Sequence, residues 1–577
     1  MVPESNLGSS YFSVVPLAVV ESPAWVVWPA HPPIRDAAIP IGNILAQDLA
    51  LIVFQKVMVK SASEFALLGG AYTAFLRLRP ANSLAKEHQT VTLPRSLMNM
   101  EQLYQERLSR YITAMRNEKP DRIPIRPFVA EFTAKYAGYT CQEVVHDYNK
   151  AFEAAIKTAK DFGWEAVVPN MVYVWTGLAQ AVGLRYYGIP GIGIPHTTGF
   201  NYIEPPEDQA WMREDEYDAL IDDPTAFLYN VWLPRVSTEA SKIGGPSTYR
   251  NNLSFVKGAM AMLSYFYAFG PQIARLRSEC GTASAIAGIF KAPFDILADK
   301  LRGYVGLTMD MATQPDKVLK ACEALMPHLC HVGLTTADPG KQVPIGFWMH
   351  RGCVPFINPK TFASHNWPTL KPIIEEFWKN GHQTLFYAEG KWHHHFDAFH
   401  ELPDRSIVFH CDQDDIFHAH RKLHDKFALS GGIPNVLLSY GKPDEVRAFC
   451  RRVIDEVARD GGYIMDAGAI MQDDTSVENI RVMTDTTREH GVYSAGSYKA
   501  PVPTPPCEVP ASVEDRKKLN GMKGRPQPRV RPGVCFPWEQ RVKELTEITG
   551  SPELIRKIWE DIDGFGNMYV WQLLLSF

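Results

Sequence analysis

The chain has 577 residues, of which 46% are hydrophobic and 21% charged, and its net charge is -5. This is the composition of an ordinary soluble globular protein. A charge this weak over this length gives no reason to expect a nucleic acid or an anionic membrane as partner. Nine cysteines without any CxxC spacing argue against a disulfide scaffold and favour a reducing, cytoplasmic compartment.

The N-terminal region differs in composition from the rest of the chain. The run Tyr11–Val27 is fairly apolar, but two prolines and Glu21 interrupt it and no basic segment precedes it. We therefore expect neither a signal peptide nor a membrane span. Residues 1–98, rich in Pro, Ala and Val, are interpreted as an extension of unclear structure or as an over-long start of the reading frame. Within them Ile44–Lys60 could form one helix.

From Met100 onward the pattern becomes regular. Apolar residues at helical spacing predict a helix up to Met115, which must stop at Lys119-Pro120. Residues Ile123–Ile125 then read as a short strand. A predicted helix at 142–162 is followed by the apolar segment DFGWEAVVPN, interpreted as the next strand.

The alternation of strands and helices continues along the chain. The predicted helices are Asp310–Cys330, Thr369–Asn380, Ile416–His424, Asp444–Asp460 and Val477–Glu489. The predicted strands are Pro344–Met349, Thr384–Ala388, Ser406–His410, Phe427–Ser430 and Tyr463–Asp466. Short strands alternating with longer helices imply a parallel sheet, and this many units fits a closed barrel better than an open sheet. The sequence therefore predicts an α/β protein, a (β/α)8 TIM barrel over residues 99–498.

The regular pattern fades after Gly496. Residues 499–536 are Pro-rich and are predicted to be an extended linker, and residues 537–577 a helical tail. Within the tail, Trp538–Ile562 is predicted as a helix. The apolar end MYVWQLLLSF is expected to dock on the barrel, with a partner or dimer contact as the alternative.

Residues 430–491 contain GGIPN before an apolar strand, GKPDEV opening a helix, GGYIMD and then TSVENI, with a later EHG. This series of motifs resembles the C-terminal third of the uroporphyrinogen decarboxylase superfamily. Upstream, KPDRIPI at 119–125 resembles the first strand of that superfamily, and residues 360–381 resemble its substrate-side helix. The resemblance implies a TIM barrel and one of two chemistries. These are decarboxylation of a porphyrinogen without a cofactor, and methyl transfer between a corrinoid and a thiol or a small methyl donor.

Three positions depart from what the resemblance implies for a porphyrinogen decarboxylase. An Arg-Gln-Ala-Gly-Arg stretch is expected after the first strand, but the chain has Arg126 followed by Pro-Phe-Val-Ala-Glu. An Asp is expected at the end of the next strand, where Asn170 stands instead. A Gly-His-Gly turn is expected near the C-terminus, where the chain has Ala467-Gly468-Ala469. A neutral Asn cannot stabilise a protonated pyrrole as a carboxylate does, so haem biosynthesis is disfavoured.

The thiolate zinc site of the methyltransferase branch is also absent. The His-x-Cys-Gly motif that the resemblance implies is replaced by Tyr387-Ala388-Glu389-Gly390, and the later Cys falls in the Ala467–Ala469 turn. A carboxylate at the C-terminal end of a barrel strand faces the active site. Glu389 is therefore a candidate catalytic acid/base or metal ligand, against the alternative of a capping or salt-bridged acid.

Eleven of the 18 histidines lie between His350 and His424. His and Asp are common metal ligands and acid/base groups. We expect His410 through Asp415 in a loop on the catalytic face. His410, Asp412 and Glu389 are the candidate metal ligands, and Asp415 is a candidate catalytic residue unless it only caps a helix. His350, at the end of a strand, is an independent catalytic candidate.

The remaining candidates concern substrate binding. Arg351 could hold a substrate carboxylate through two parallel hydrogen bonds. The other candidates are Arg126, Asn170 and Tyr387.

The leading hypothesis is an enzyme that transfers a methyl group from a small methylated substrate, with aromatic compounds among the candidates, to a separate corrinoid protein. The alternatives are a cofactor-free decarboxylase or hydrolase of a small carboxylated ring, and a non-catalytic barrel subunit that binds a corrinoid protein. Zinc is a candidate cofactor. No nucleotide is expected because no glycine-rich phosphate loop occurs, and a corrinoid would come from another chain because no Asp-x-His-x-x-Gly motif occurs. A homodimer is a further candidate assembly.

Overall fold

The computed structural model describes residues 95–129, 131–168, 178–206, 209–493 and 530–575. The predicted helix Ile44–Lys60, the candidate Asn170 and most of the predicted linker lie outside the described residues. All the described residues fall in one compact unit, Val57–Phe577.

The described residues contain eleven strands and twenty α-helices, numbered in chain order. The strands are β1 Ala166–Val167, β2 Tyr187–Pro190, β3 Gly193–Ile194, β4 Asn201–Tyr202, β5 Ala283–Ser284, β6 Ile289–Phe290, β7 Ile345–Met349, β8 Thr384–Ala388, β9 Ile407–Cys411, β10 Ala428–Gly431 and β11 Tyr463–Ile464.

The described helices are numbered in the same way. They are α1 Arg95–Met115, α2 Glu131–Ala137, α3 Cys141–His146, α4 Tyr148–Phe162, α5 Tyr217–Asp222, α6 Pro224–Phe227, α7 Leu233–Val236, α8 Tyr249–Cys280, α9 Pro293–Ile296, α10 Tyr304–Thr313, α11 Pro315–Thr336, α12 Pro359–Thr361, α13 Trp367–Lys379, α14 Phe396–Phe399, α15 Ile416–Leu423, α16 Asn435–Tyr440, α17 Pro443–Glu456, α18 Val477–His490, α19 Trp538–Arg541 and α20 Pro552–Leu575.

Eight parallel segments form the (β/α)8 barrel, and β5 and β6 together make one of them, residues 283–290. Strands β6 to β11 make one sheet in sequential order, and β5 pairs in parallel with β1. The first segment, residues 123–129, joins the two ends through parallel bridges of Ile125 to Met465 and of Phe128 to Val168. The Arg126 amide donates to the Met465 carbonyl at 3.1 Å. The segment 123–129 is thus held by single bridges rather than by a continuous ladder, because Pro124 and Pro127 have no N–H to donate.

A long insertion separates β1 from β5. It contains a three-stranded sheet in the order β3-β2-β4 and the 32-residue helix α8. Helix α8 begins at a capping box of Thr248 and Asn251 and ends at Gly281, whose left-handed backbone suits glycine.

Three predicted helices are interrupted. The helix expected at 142–162 breaks at Asp147, whose side chain accepts hydrogen bonds from the Asn149 and Lys150 amides and starts a new helix. The helix expected at Asp310–Cys330 breaks at Gln314, because Pro315 disfavours helical backbone in the residue before it. Trp538–Ile562 is likewise not one helix.

The C-terminal tail docks on the barrel unit, as its apolar sequence predicts. Helix α20 buries Trp571, Leu573 and Leu574. The Trp571 indole donates to the Thr225 hydroxyl at 3.0 Å and stacks on His328, and the Tyr186 hydroxyl donates to the Leu573 carbonyl at 2.7 Å. Among the described helices, none combines the length and the apolar character needed to cross a membrane.

Candidate active site

Charged side chains from three consecutive strand ends converge at one mouth of the barrel. Lys291 follows β6, His350 and Arg351 follow β7, and Glu389 follows β8. Because the strands are parallel and adjacent, their carboxyl ends meet at the same face, where barrel enzymes carry their active sites. Of these four residues the sequence analysis named His350, Arg351 and Glu389.

Asp299 is the centre of this cluster, and its side chain is only 2% exposed. It lies in the π-helical turn Leu297–Leu301. Its carboxylate contacts the His350 Nε2 atom, accepts from Lys291 Nζ at 3.1 Å and accepts from Arg351 Nε at 2.7 Å. Burial by itself raises the pKa of Asp299, but His350, Lys291 and Arg351 prevail and hold it well below its usual value. Asp299 is therefore a buried, ionised carboxylate.

His350 lies between two carboxylates. Its Nε2 atom contacts Asp299, and its Nδ1 atom lies 3.5 Å from Glu389 Oε2. Burial lowers the pKa of His350, but the charge of Asp299 and the hydrogen bonds to Asp299 and Glu389 outweigh it and raise the pKa to about 9. His350 is consequently an imidazolium at neutral pH.

Glu389 is the member of the cluster that faces solvent. Its side chain is 48% exposed, against 22% for His350. The surrounding protein atoms raise its pKa, but the hydrogen bond and the charge of His350 prevail and lower it. An ionised carboxylate beside a protonated imidazole is thus accessible from the barrel mouth.

Asp295 fixes the backbone of the cluster from below. One of its oxygens accepts the amides of His350 at 3.0 Å and of Arg351 at 2.8 Å, while the other has no hydrogen-bond partner among the described residues. Burial raises the pKa of Asp295. Its role is to orient the two residues after β7.

Lys300 occupies a separate cage behind Asp299. Its amine is fully buried, 4.2 Å from the Tyr186 ring centre and 4.8 Å from that of Tyr202, without a hydrogen-bond partner among the described residues. Burial lowers the pKa of Lys300 well below its usual value, and Lys291 adds to this. Anchoring of Lys300 in this aromatic cage orients the turn that carries Asp299.

Arg126, Tyr387 and His410 point into the barrel interior, away from this cluster. Their neighbours on the interior layer include Trp348 and Ser430, in register across β7 to β10. His410 has no exposed surface, and its Nδ1 lies 3.0 Å from the Ser430 hydroxyl and 3.4 Å from Arg126 Nη2. The loop expected to begin at His410 therefore begins later: His410 lies within the strand Ile407–Cys411 and its side chain is buried.

Asp466, which the sequence analysis did not single out, completes the interior group. Arg126 Nη1 lies 3.6 Å from its carboxylate, and both side chains are fully buried. Burial raises the pKa of Asp466 to about 7, although Arg126 opposes the shift. The pair links the segment 123–129 to the residues that directly follow β11, where the barrel closes.

Asp412 and Asp415 lie on the neighbouring loop. Asp412 accepts from the Gly390 amide at 2.8 Å, and burial raises its pKa to about 6. Asp415 caps helix α15 by accepting from the Phe417 amide at 3.0 Å. Both line a groove of about 770 Å³ with Phe417, Pro434 and Arg452.

A comparison with known families covers the barrel from β5 to its last strand. Residues 258–490 match the family model described as uroporphyrinogen decarboxylase. This region belongs to the uroporphyrinogen decarboxylase superfamily. The matched residues include β5 to β11 and the whole charged cluster at the barrel mouth.

The chain was also compared with curated protein sequences and with solved structures. No curated protein sequence matches the chain significantly. Among solved structures the chain is similar to a methyltransferase from Methanosarcina mazei, with 13% sequence identity and a TM-score of 0.45 over 66% of this chain and 97% of that one.

The donor set does not fit a bound zinc ion. Among the described residues, one group brings three potential ligand atoms within 4.8 Å of one another, and it is Asp295, Asp299 and His350 rather than the expected His410, Asp412 and Glu389. Its central carboxylate is already bound by three cationic side chains, Lys291, His350 and Arg351. A further cation would compete with all three for one carboxylate.

Lys291, Asp295 and Asp299 were missed from the sequence although a signal exists. The segment KAPFDILADK starts directly after the apolar β6, and the two acids are four residues apart on one helical face. A two-residue strand is too short to stand out by periodicity, so the strand end was not recognised.

Proposed function

We propose that the chain is an enzyme that demethylates a small methylated substrate by general acid catalysis and passes the methyl group to a separate corrinoid protein. The observation that carries this proposal is His350, a protonated imidazole held between Asp299 and Glu389 at the barrel mouth. A phenolate or an amine leaves poorly without a proton, and an imidazolium supplies one.

Each residue of the charged cluster has a separate role in the proposed demethylation. His350 donates the proton from Nδ1 to the leaving oxygen or nitrogen, and Glu389 orients that atom and keeps the imidazole charged. Asp299 holds the opposite ring nitrogen, which fixes the ring. A reduced corrinoid, when docked, supplies the nucleophile that accepts the methyl group. Arg351, 16% exposed and stacked on Phe356, is placed to contact an acidic group of the substrate.

Two features weigh against the alternatives. A decarboxylase that binds its substrate through two arginines would need Arg126 as well as Arg351, but Arg126 is buried and paired with Asp466. A bare scaffold would not need to bury a carboxylate beneath three cations at the mouth, since such burial is costly. Membership in the superfamily also favours an enzyme.

The test uses the full chain with a panel of methylated phenols and methylated amines and with reduced free cobalamin as the methyl acceptor. We expect demethylated product from at least one substrate, lost in His350→Asn and in Glu389→Gln. The exposed His400 provides the matched control, since His400→Asn should retain the activity. Release of carbon dioxide from carboxylated rings, without methyl transfer, would instead establish the decarboxylase.

A further inference from the structure

Helix α8 carries an apolar stripe on its exposed side. Tyr249, Val256, Met260 and Tyr267 are 82%, 54%, 65% and 65% exposed. With the half-buried Leu253 and Leu263 they follow the alternating four- and three-residue spacing of a helix seam. The stripe spans about 27 Å along the helix. Scattered single apolar residues on a surface are ordinary, but a contiguous stripe at seam spacing indicates a contact surface.

Helix α20 carries a second stripe, in the half that precedes its buried end. Leu554, Ile555, Ile558 and Ile562 are 68%, 41%, 64% and 46% exposed. They share one helical face and span about 12 Å. This stripe is thus distinct from the buried residues that dock the same helix on the barrel unit.

The two stripes are complementary in charge. Residues 249–267 contain Arg250 and Lys257 and no acidic residue, and Arg250 pairs with the nearby Glu239, so the charge of this flank is +1. Residues 552–563 contain four acidic residues and two basic ones, Arg556 and Lys557, which gives -2. Like-charged flanks oppose the pairing of α8 with another α8, whereas opposite flanks favour α8 with α20.

We propose that two copies of this chain form a symmetric dimer in which the α8 stripe of each copy packs on the α20 stripe of the other. A twofold axis produces two identical contacts from one pair of surfaces and leaves no stripe open for further growth. Two contacts also bury twice the surface of one. A stable interface buries about 800 Å² per partner, and one short helix contact supplies only part of that area.

The experiment measures the mass of the full chain in solution by light scattering during size-exclusion chromatography. We expect a dimer, and we expect Met260→Glu and Ile558→Glu each to weaken it by about tenfold or more, because a carboxylate would be buried in an apolar contact. Met309, another exposed methionine at 56%, provides the control: Met309→Glu should remain dimeric.

Mixing the two variants distinguishes this arrangement from others. A mixed pair has one contact with both changes and one with neither, so the mixture should recover dimer that each variant alone lacks. Lys257→Glu, a surface change with little risk to the fold, should weaken the dimer most at low salt. A monomeric wild-type chain, a dimer that resists both variants, or sensitivity to Met260→Glu alone without recovery on mixing would overturn the proposal. The last result would indicate pairing of α8 with α8.

Discussion

At the scale of single residues, the charge state of His350 decides what the site can do. Its pKa of about 9 arises against burial and depends on Asp299 and Glu389. A raised pKa stabilises the folded chain most fully below the ordinary value of 6.5, and this contribution is lost as the pH rises through about 9. The site therefore retains its proton through the neutral range.

Asp299→Asn should lower the pKa of His350. Removal of a contacting carboxylate changes a pKa by about 1–3 pH units, and Glu389 then remains as the contacting carboxylate that opposes Lys291 and burial. The measurement is an NMR titration of labelled histidines, with Asp397→Asn, an exposed acid whose ion-pair partner is Lys422, as control. An unchanged His350 titration in Asp299→Asn would contradict the assignment of Asp299 as the charge partner.

His328 is predicted to make the folded chain sensitive to acid. It is 1% exposed, stacked on Trp571, and its ring nitrogens have no hydrogen-bond partner among the described residues. Burial lowers its pKa to about 3, with a smaller effect from His331. A lowered histidine pKa costs no stability above 6.5, and the cost grows as the pH falls from 6.5 toward 3.

His328→Phe should remove that part of the acid dependence. The free energy of unfolding, measured with urea at pH 7, 5.5 and 4, should fall less steeply in the variant than in the wild type. Parallel pH dependence in the two proteins would show that His328 does not titrate on unfolding.

At the scale of elements, close helix packing depends on residues without side-chain bulk. A Cβ at Gly258 of α8 would collide with the Tyr569 hydroxyl of α20 and with Val182. The sequence shows only a glycine inside a long helix, which by itself suggests a weak helix. The packing gives the opposite meaning, because the glycine is the point where α20 approaches α8.

Gly258→Ala should therefore destabilise the chain, although the same change in an open helix gains about 1 kcal/mol. We expect a lower free energy of unfolding in urea, because Tyr569 or Val182 must shift. Ser278→Ala, at an exposed position of the same helix, is the control and should be neutral or slightly stabilising. A gain in stability from Gly258→Ala would show that α20 does not approach this closely.

At the scale of the whole molecule, the barrel closes around a buried polar layer. Arg126 and Asp466 connect the first strand to the last, and Asp466 also accepts the Phe128 amide at 3.2 Å. A buried ion pair contributes little over an apolar pair, but removal of one partner alone costs about 3–5 kcal/mol. The pair therefore specifies closure more than it adds stability.

Arg126→Met should destabilise the chain, and more at pH 8 than at pH 6. Asp466 has a pKa of about 7 in the wild type, so at low pH it accepts a proton and the loss of Arg126 leaves no buried charge. The double variant Arg126→Met with Asp466→Leu should recover part of the loss in urea unfolding. Equal destabilisation at both pH values, with no recovery in the double variant, would contradict this account.

The sequence by itself determined the alternating units from β7 to helix α18. Strand β8 matches the expected Thr384–Ala388, and the observed helix Trp367–Lys379 differs from expectation by only a few residues. These elements are predictable because local apolar periodicity and turn residues define them. The same rule located His350, Arg351 and Glu389, since each follows a recognisable strand.

Only the tertiary structure decided which of the candidate groups meet. His350 and Glu389 are 39 positions apart in sequence but in contact, because adjacent parallel strands end together. His410 belongs to a neighbouring strand yet turns inward, because strand side chains alternate and its position faces the barrel interior. Lys291, Asp295 and Asp299 follow a two-residue strand that is too short to be recognised by its periodicity, since long-range pairing with β7 is what makes it a strand. Charge state also depends on neighbours in space, so neither the protonated His350 nor the buried Asp299 could be read from sequence alone.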